Sequence, residues 1–319
     1  MSSRLSENLL RLLGLLLLVG ALGIAATKAP DRPLESLIQQ WAPPPSEFID
    51  LNGQLLHLRD QGPRSDRLPI VLIHGTSASL HTWEGWVKSL SKTRRVISFD
   101  LPGFGLTGPA ASGDYSTEAY VKFVRALLDH LQLDRVVLGG NSLGGEIAWM
   151  VAAAAPQRVA ALILVDAGGY AFEPESVPLG FQMARLPGLG ALSEHVLPRS
   201  LVERSIKDVY GDPAKVNPAL VERYYELNLR AGNRAALRQR FAQMSLGEQA
   251  AAIKTLQQPS LILWGAKDRL IPPINGQNFA RDIAGSQLVT FPDLGHVPQE
   301  EDPLATLLPV QKFLSTLKP

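Results

Sequence analysis

The stretch Val136-Val137-Leu138-Gly139-Gly140-Asn141-Ser142-Leu143-Gly144-Gly145 limits what this chain can fold into more than any other part of it. An apolar, β-branched run stops in small residues and passes straight into a helix-forming run that Pro156 ends, which is the pattern of a strand, a tight turn and a helix. One serine, Ser142, stands between Gly140 and Gly144. Only very small residues fit two positions before and two after a residue strained in such a turn. The turn presents the serine hydroxyl above the sheet at a helix N-terminus, where the helix dipole favours developing negative charge. Taken alone, G-x-S-x-G is a weak pattern, because glycine and serine are common. Its meaning depends on partners elsewhere.

From Glu47 onward the chain alternates strand and helix. Glu47–Leu51 and Gln54–Arg59 flank Asn52-Gly53, a strong hairpin signal. Buried-strand runs follow at Pro69–His74, Arg95–Asp100, Arg135–Asn141, Ala161–Asp166, Pro259–Trp264 and Gln287–Phe291. Helices are expected near His81–Ser91, from Thr117 to Leu133 with Ser116 or Thr117 as cap, over Leu143–Ala155, near Pro273–Ile283 and over Pro303–Leu317. The pattern implies an α/β fold: a doubly wound, mostly parallel eight-stranded sheet with helices on both faces. Residues 170–256 break the alternation with prolines and helical stretches around Pro198–Val209 and Pro218–Met244. Such an insertion would sit above the strand C-termini, where ligands of these sheets bind. The division expected is 1–28 as an N-terminal apolar segment, 29–46 as a linker, 47–169 and 257–319 as the two parts of the core, and 170–256 as the insertion.

The N-terminus departs from this globular picture. Leu12 to Ala26 carries no charge and follows Arg4 and Arg11. As a helix it spans roughly 22 Å, or about 27 Å if Arg11 snorkels and Leu9 and Leu10 join it, against a hydrocarbon core of ~30 Å. A retained membrane anchor and a cleaved signal peptide both fit. Either places the rest of the chain outside the cytoplasm, facing the periplasm or secreted. After it, Leu34, Leu37, Ile38 and Trp41 share one face of a short helix that ends before Pro43-Pro44-Pro45. That face either meets a membrane interface or, as is more common, docks on the domain.

Composition excludes several classes. The net charge of +1 gives no electrostatic reason to expect nucleic acid as a partner. With no cysteine, disulfides, thiolate metal sites and cysteine nucleophiles are ruled out. No metal-ligand cluster and no dinucleotide glycine motif is evident, so neither a metal nor another cofactor is expected.

A serine nucleophile needs a base within hydrogen-bond reach and an acid that orients the base. The chain has six histidines. His296, in Asp293-Leu294-Gly295-His296-Val297-Pro298, lies just past the last expected strand, on the same rim as Ser142. His57 in the hairpin and His130 inside a helix read as surface or packing residues, and His195 lies in the insertion. For the acid, Asp268 follows the penultimate strand in Leu263-Trp264-Gly265-Ala266-Lys267-Asp268. Asp166 also ends a strand on that rim and competes with it; Asp100 and Asp293 read as loop-holding residues. A tetrahedral intermediate further requires two N–H donors. Leu143, directly after the serine, supplies one, and Thr76 in Leu72-Ile73-His74-Gly75-Thr76-Ser77 supplies the other, with His74 bracing the loop.

These pieces together resemble the α/β-hydrolase superfamily, in a bacterial, cap-bearing form, across about residues 47–317. The matching motifs are His74-Gly75, Asp100-Leu101-Pro102-Gly103-Phe104-Gly105, Gly140-Asn141-Ser142-Leu143-Gly144-Gly145, Trp264-Gly265-Ala266-Lys267-Asp268 and Gly295-His296. The resemblance implies a Ser142–Asp268–His296 triad in that chain order, an oxyanion hole at Thr76 and Leu143, and a cap at 170–256. It implies hydrolysis of a small ester or acyl substrate through an acyl-enzyme. The leading alternative is hydrolysis of C–C bonds in meta-cleavage products, a branch that often shares Asn141 but usually has Trp where this chain has Val297. A cofactor-free perhydrolase and a silent binding protein are the remaining readings.

Overall fold

The structure is a computed structural model that describes residues 27–185 and 194–318, together with positions 8, 10–15, 18 and 23. The expected N-terminal anchor or signal therefore falls largely outside the described residues. Among the described residues, no helix is long and apolar enough to cross a membrane.

Eight strands form one sheet: β1 (Ser46–Leu51), β2 (Gln54–Gln61), β3 (Ile70–Ile73), β4 (Val96–Phe99), β5 (Val136–Asn141), β6 (Val159–Val165), β7 (Ser260–Gly265) and β8 (Gln287–Phe291). Their order is β1-β2-β4-β3-β5-β6-β7-β8. The β1–β2 hairpin is antiparallel and pairs antiparallel to β4, while β4 through β8 run parallel. Asn52 and Gly53 both have positive φ, 56° and 83°, the conformation a two-residue hairpin turn needs.

The parallel strands are apolar along their length because both faces are covered. Their side chains divide with a period of two. Val71, Ile73, Val136, Leu138, Leu162, Leu164, Ile262 and Trp264 pack on one face, with Val124 and Leu128 of the Thr117–His130 helix and Phe279 of the Ile274–Asp282 helix. Ile70, Leu72, Val137, Ile163, Leu261 and Leu263 pack on the other, against Trp83, Trp86, Leu307, Val310 and Phe313. Ser116 caps the Thr117–His130 helix by accepting from the Ala119 N–H (3.2 Å).

Between β6 and β7 lie helices Leu179–Arg185, Arg199–Val209, Pro218–Asn228 and Asn233–Gln243. The single stretch expected over Pro218–Met244 is two helices. Gly232, at φ +85°, breaks it, and Asn233 turns inward to donate to the carbonyls of Gly105 (2.9 Å) and Leu227 (2.8 Å). The amphipathic turn Glu35–Trp41 docks on this segment. Leu37 is fully buried beside Leu106 and Leu227, and the Trp41 indole donates to Glu226 (2.7 Å). Backbone bonds from Ala29 to His195 (2.9 Å) and from Arg32 to Leu229 (2.7 Å), with the Arg32–Glu226 ion pair, continue the seam.

Candidate active site

Ser142, Asp166, Asp268 and His296 follow the carboxyl ends of β5, β6, β7 and β8, so the sheet itself gathers them on one rim. Ser142 has φ +56° and ψ −118°, which a non-glycine residue adopts only when its surroundings enforce it. They do so here. Its N–H donates to the Val165 carbonyl (3.0 Å), and its carbonyl accepts from Glu146 (3.0 Å) and Gly168 (3.0 Å). A Cβ at Gly144 would collide with the Ile73 carbonyl, and one at Gly140 with the Gly144 backbone. The small residues are therefore a packing requirement of the turn.

His296 Nδ1 lies 2.7 Å from Asp268 Oδ2. Asp268 is 2 % exposed, and its Oδ1 accepts from the Leu270 (2.8 Å) and Ile271 (2.9 Å) amides, which fix the plane of the carboxylate. With Nδ1–H donating to Asp268, Nε2 is the nitrogen left to accept a proton. The loop carrying His296 is clamped from three sides. Its N–H donates to the Val209 carbonyl (2.7 Å), and its carbonyl accepts from Asn141 Nδ2 (2.9 Å). Glu301 accepts from the amides of Gly295 (2.8 Å), Gly211 (3.0 Å) and Asp212 (2.8 Å). Asn141 also donates to Val165 (3.1 Å), so one amide ties the serine turn to the histidine loop.

Asp166 is fully buried behind this pair, and its Oδ1 accepts from the Gly265 amide (3.0 Å). Burial first, and then the charge of Asp268, raise its pKa well above the usual carboxylate range. Its second oxygen has no hydrogen-bond partner among the described residues. Donor atoms of Asp166, Asp268 and His296 lie within 4.8 Å of one another, a spacing that a metal could use. The His296–Asp268 hydrogen bond and the backbone amides occupy most of these lone pairs, so the arrangement fits an aspartate bonded to an imidazole, with a second buried acid behind it, better than a ligand set.

The β3 loop approaches closely enough that a Cβ on Gly75 would come within 3.0 Å of Ser142 Cβ. Thr76 and Leu143 both line the cavity in front of Ser142. Leu143 opens its helix and so has no preceding turn to accept its N–H, and the Thr76 N–H donates to no backbone carbonyl among the described residues. His74 braces the loop as expected: Nδ1 donates to Gly75 (2.7 Å), and Nε2 accepts from Leu101 (2.9 Å). Burial lowers its pKa and keeps it neutral.

That cavity, of about 220 Å³, is bounded by Ser142, His296 and the helices between β6 and β7. Its walls are mainly apolar, with Phe172, Phe181, Leu201, Val202, Phe241 and Met244 among them. Glu146, Arg185, Arg234 and Arg240 also line it, and sequence reasoning did not single these out. Of the other histidines, His130 and His195 are exposed. His57 is fully buried and bonded to Asp100 (2.7 Å).

Comparison with known proteins agrees with this geometry. The family model for the alpha/beta hydrolase fold matches residues 69–303. A 2-hydroxymuconate semialdehyde hydrolase from Pseudomonas sp. (strain CF600) is 32% identical over 260 residues, covering 78% of this chain and 86% of that protein. The dihydrolipoyllysine-residue acetyltransferase component of the acetoin cleaving system of Pseudomonas putida is 31% identical over 81% of this chain, which spans 66% of its length. Among solved structures, a meta-cleavage product hydrolase from Pseudomonas fluorescens IP01 superimposes with a TM-score of 0.73 at 26% identity, over 85% of this chain and 97% of that one. A strained serine, a buried aspartate and a histidine after β5, β7 and β8, together with a match over most of the sheet, place the chain in the α/β-hydrolase family.

Proposed function

We propose that this hydrolase cleaves carboxylic esters whose acyl part enters the apolar chamber. The observation that carries the reading is Ser142, held at φ +56° at the mouth of a chamber that it shares with His296. His296 Nε2 takes the Ser142 proton as Oγ attacks the ester carbonyl, and Asp268 stabilises the imidazolium. The Thr76 and Leu143 amides receive the oxyanion. The proton passes from His296 to the leaving alcohol, leaving an acyl-enzyme. His296 then deprotonates water, which attacks the acyl carbon, and the proton returns to Ser142.

A second reading, hydrolysis of a C–C bond in a meta-cleavage product, is favoured by the relative named a 2-hydroxymuconate semialdehyde hydrolase. Asn141 does not separate the two, since its clamp on the His296 loop serves either reaction. A panel of p-nitrophenyl esters of graded chain length, run beside a 2-hydroxy-6-oxo-dienoate, decides. Ester turnover that requires Ser142 and exceeds dienoate turnover supports the first reading; the reverse order replaces it with the second. The arginines before Leu12–Ala26 support an exported, membrane-anchored protein; a protease-accessible hydrolase domain in spheroplasts is expected, and a protected one counts against export.

A further inference from the structure

One wall of the chamber is not apolar. The Asn233–Gln243 helix turns Arg234, Leu237, Arg240 and Phe241 toward the cavity. Arg234 and Arg240 are 6% and 2% exposed, yet each guanidinium is only partly engaged. Arg234 Nη2 donates to Asp31 (2.6 Å), and Arg240 Nη1 donates to the Tyr115 carbonyl (3.2 Å). Among the described residues, Arg234 Nε and Nη1 and Arg240 Nε have no acceptor. Glu146, the acidic side chain nearest Arg240, stays 3.8 Å away, beyond hydrogen-bond range. Its own burial, only partly opposed by Arg240, raises its pKa and weakens it further as a counter-charge. Asp31 belongs to the docked N-terminal segment, and its side chain is 45% exposed, so it does not line the chamber. Buried guanidinium N–H groups without acceptors are unfavourable and are normally found satisfied.

We propose that the chamber accepts esters bearing a second acidic group, a carboxylate or a phosphate diester, whose oxygens bind the free N–H groups of Arg234 and Arg240. This rests on the ester reading above and names its substrate class. An oxyanion fits better than a neutral carbonyl, because among the described residues Arg185, Arg234 and Arg240 line the chamber against one carboxylate, Glu146. Apolar walls strengthen that field, and the planar guanidinium fork matches carboxylate and phosphate oxygens. Glu146, which Arg240 Nη2 approaches to 3.8 Å, lies one helical turn past Ser142, and Arg234 precedes Arg240 by ~9 Å along their shared helix.

Two matched pairs test the proposal: mono-p-nitrophenyl glutarate against p-nitrophenyl pentanoate, and dihexanoyl phosphatidylglycerol against dihexanoylglycerol. At least one acidic member should exceed its neutral counterpart in kcat/KM by about tenfold or more, and the pair that does so identifies carboxylate or phosphate. Arg240→Gln and Arg234→Gln should each reduce that ratio by about tenfold, with the Lys variants falling between and guarding against a folding defect. Calorimetry of hexanoate, hexyl phosphate and hexanol on Ser142→Ala protein needs no turnover. There, one of the two anions should bind at least about tenfold tighter than hexanol and lose that margin in Arg240→Gln. Ratios near one in both pairs, or ratios unmoved by both Gln variants, would overturn the proposal. Absence of all ester hydrolysis alongside tight anion binding would instead sink the ester reading and leave the arginines' role standing.

Discussion

Among the described residues two aspartate–histidine pairs each accompany a serine, and they differ in what surrounds them. In the first, Asp100 Oδ2 meets His57 Nδ1 at 2.7 Å, and His57 Nε2 meets Ser46 Oγ at 3.0 Å. In the second, Asp268 Oδ2 meets His296 Nδ1 at the same 2.7 Å. The first is the more completely bonded: Ser46 Oγ also accepts from Arg59 (2.9 Å), and Asp100 accepts from the Leu80 and Leu106 amides, each at 2.7 Å. That saturation makes it a structural knot joining the β1–β2 hairpin to the loop after β4. Ser142 differs in three ways. Its backbone is strained, it faces a cavity, and two backbone amides with no carbonyl partner among the described residues stand beside it. Hydrogen-bond connectivity alone does not make a nucleophile; room for a substrate and donors for an oxyanion do.

The largest contrast is between the serines. Ser142→Ala should lower ester turnover by a factor on the order of 10⁴ or more, without loss of fold. Ser46→Ala should leave turnover within about threefold, because a surface-strand hydroxyl contributes packing rather than chemistry. Steady-state kinetics on the two variants would erase the distinction if both lost activity alike.

The aspartates should separate along different axes. Asp268→Asn should cut kcat by a factor on the order of 10³–10⁴ through the wrong imidazole tautomer, with an almost unchanged Tm. Asp100→Ala strands His57 and two buried amides, and should cost about 3–5 kcal/mol in urea unfolding. Burial opposes ionisation of Asp100, but the neighbouring His57, His74 and His81 hold its carboxyl far below the usual range. Asp166→Asn should fall between these, with less than about a tenfold loss of kcat, since an amide resembles the protonated acid that burial and the charge of Asp268 favour there. A greater loss at Asp166 than at Asp268 would move the triad acid to β6.

The smallest effect is on stability with pH. Burial pushes His81, beside the first knot, down from 6.5 to about 4, and lowers His74 as well. Between those values the unfolded chain binds protons that the native state does not, so stability should fall as pH drops from about 6.5 to 4, by roughly 2–3 kcal/mol from His81. Urea midpoints across that range should show the slope, and His81→Gln should flatten it; a flat wild-type profile contradicts the assignment.

Much of this was readable in the residues. Every expected strand exists to within a few residues, because each is an apolar run, β-branched in all but the hairpin's second strand, bounded by a glycine or polar stop. The docking of Trp41 and the bracing role of His74 follow from local pattern, as does the gathering of Ser142, Asp268 and His296 on one rim. What stayed hidden depends on contacts distant in sequence. His57 reads as an ordinary hairpin residue until β2 is laid antiparallel to β4, which brings Asp100 to it. Glu301 looks like helix surface, yet it closes the His296 loop onto Gly211. Arg234 and Arg240 look like solvated charges until the Asn233–Gln243 helix is seated over the cavity. The break at Gly232 carried a local signal, a glycine inside a helical pattern, that propensity alone underweights.

The central claim, that Ser142 is the one activated serine, is tested most directly by a fluorophosphonate probe followed by peptide mass spectrometry. One label per chain on Ser142, appearing in step with loss of ester hydrolysis and absent from Ser142→Ala and Asp268→Asn, is the expected result. Labelling at Ser46, or inactivation with Ser142 unmodified, would contradict it.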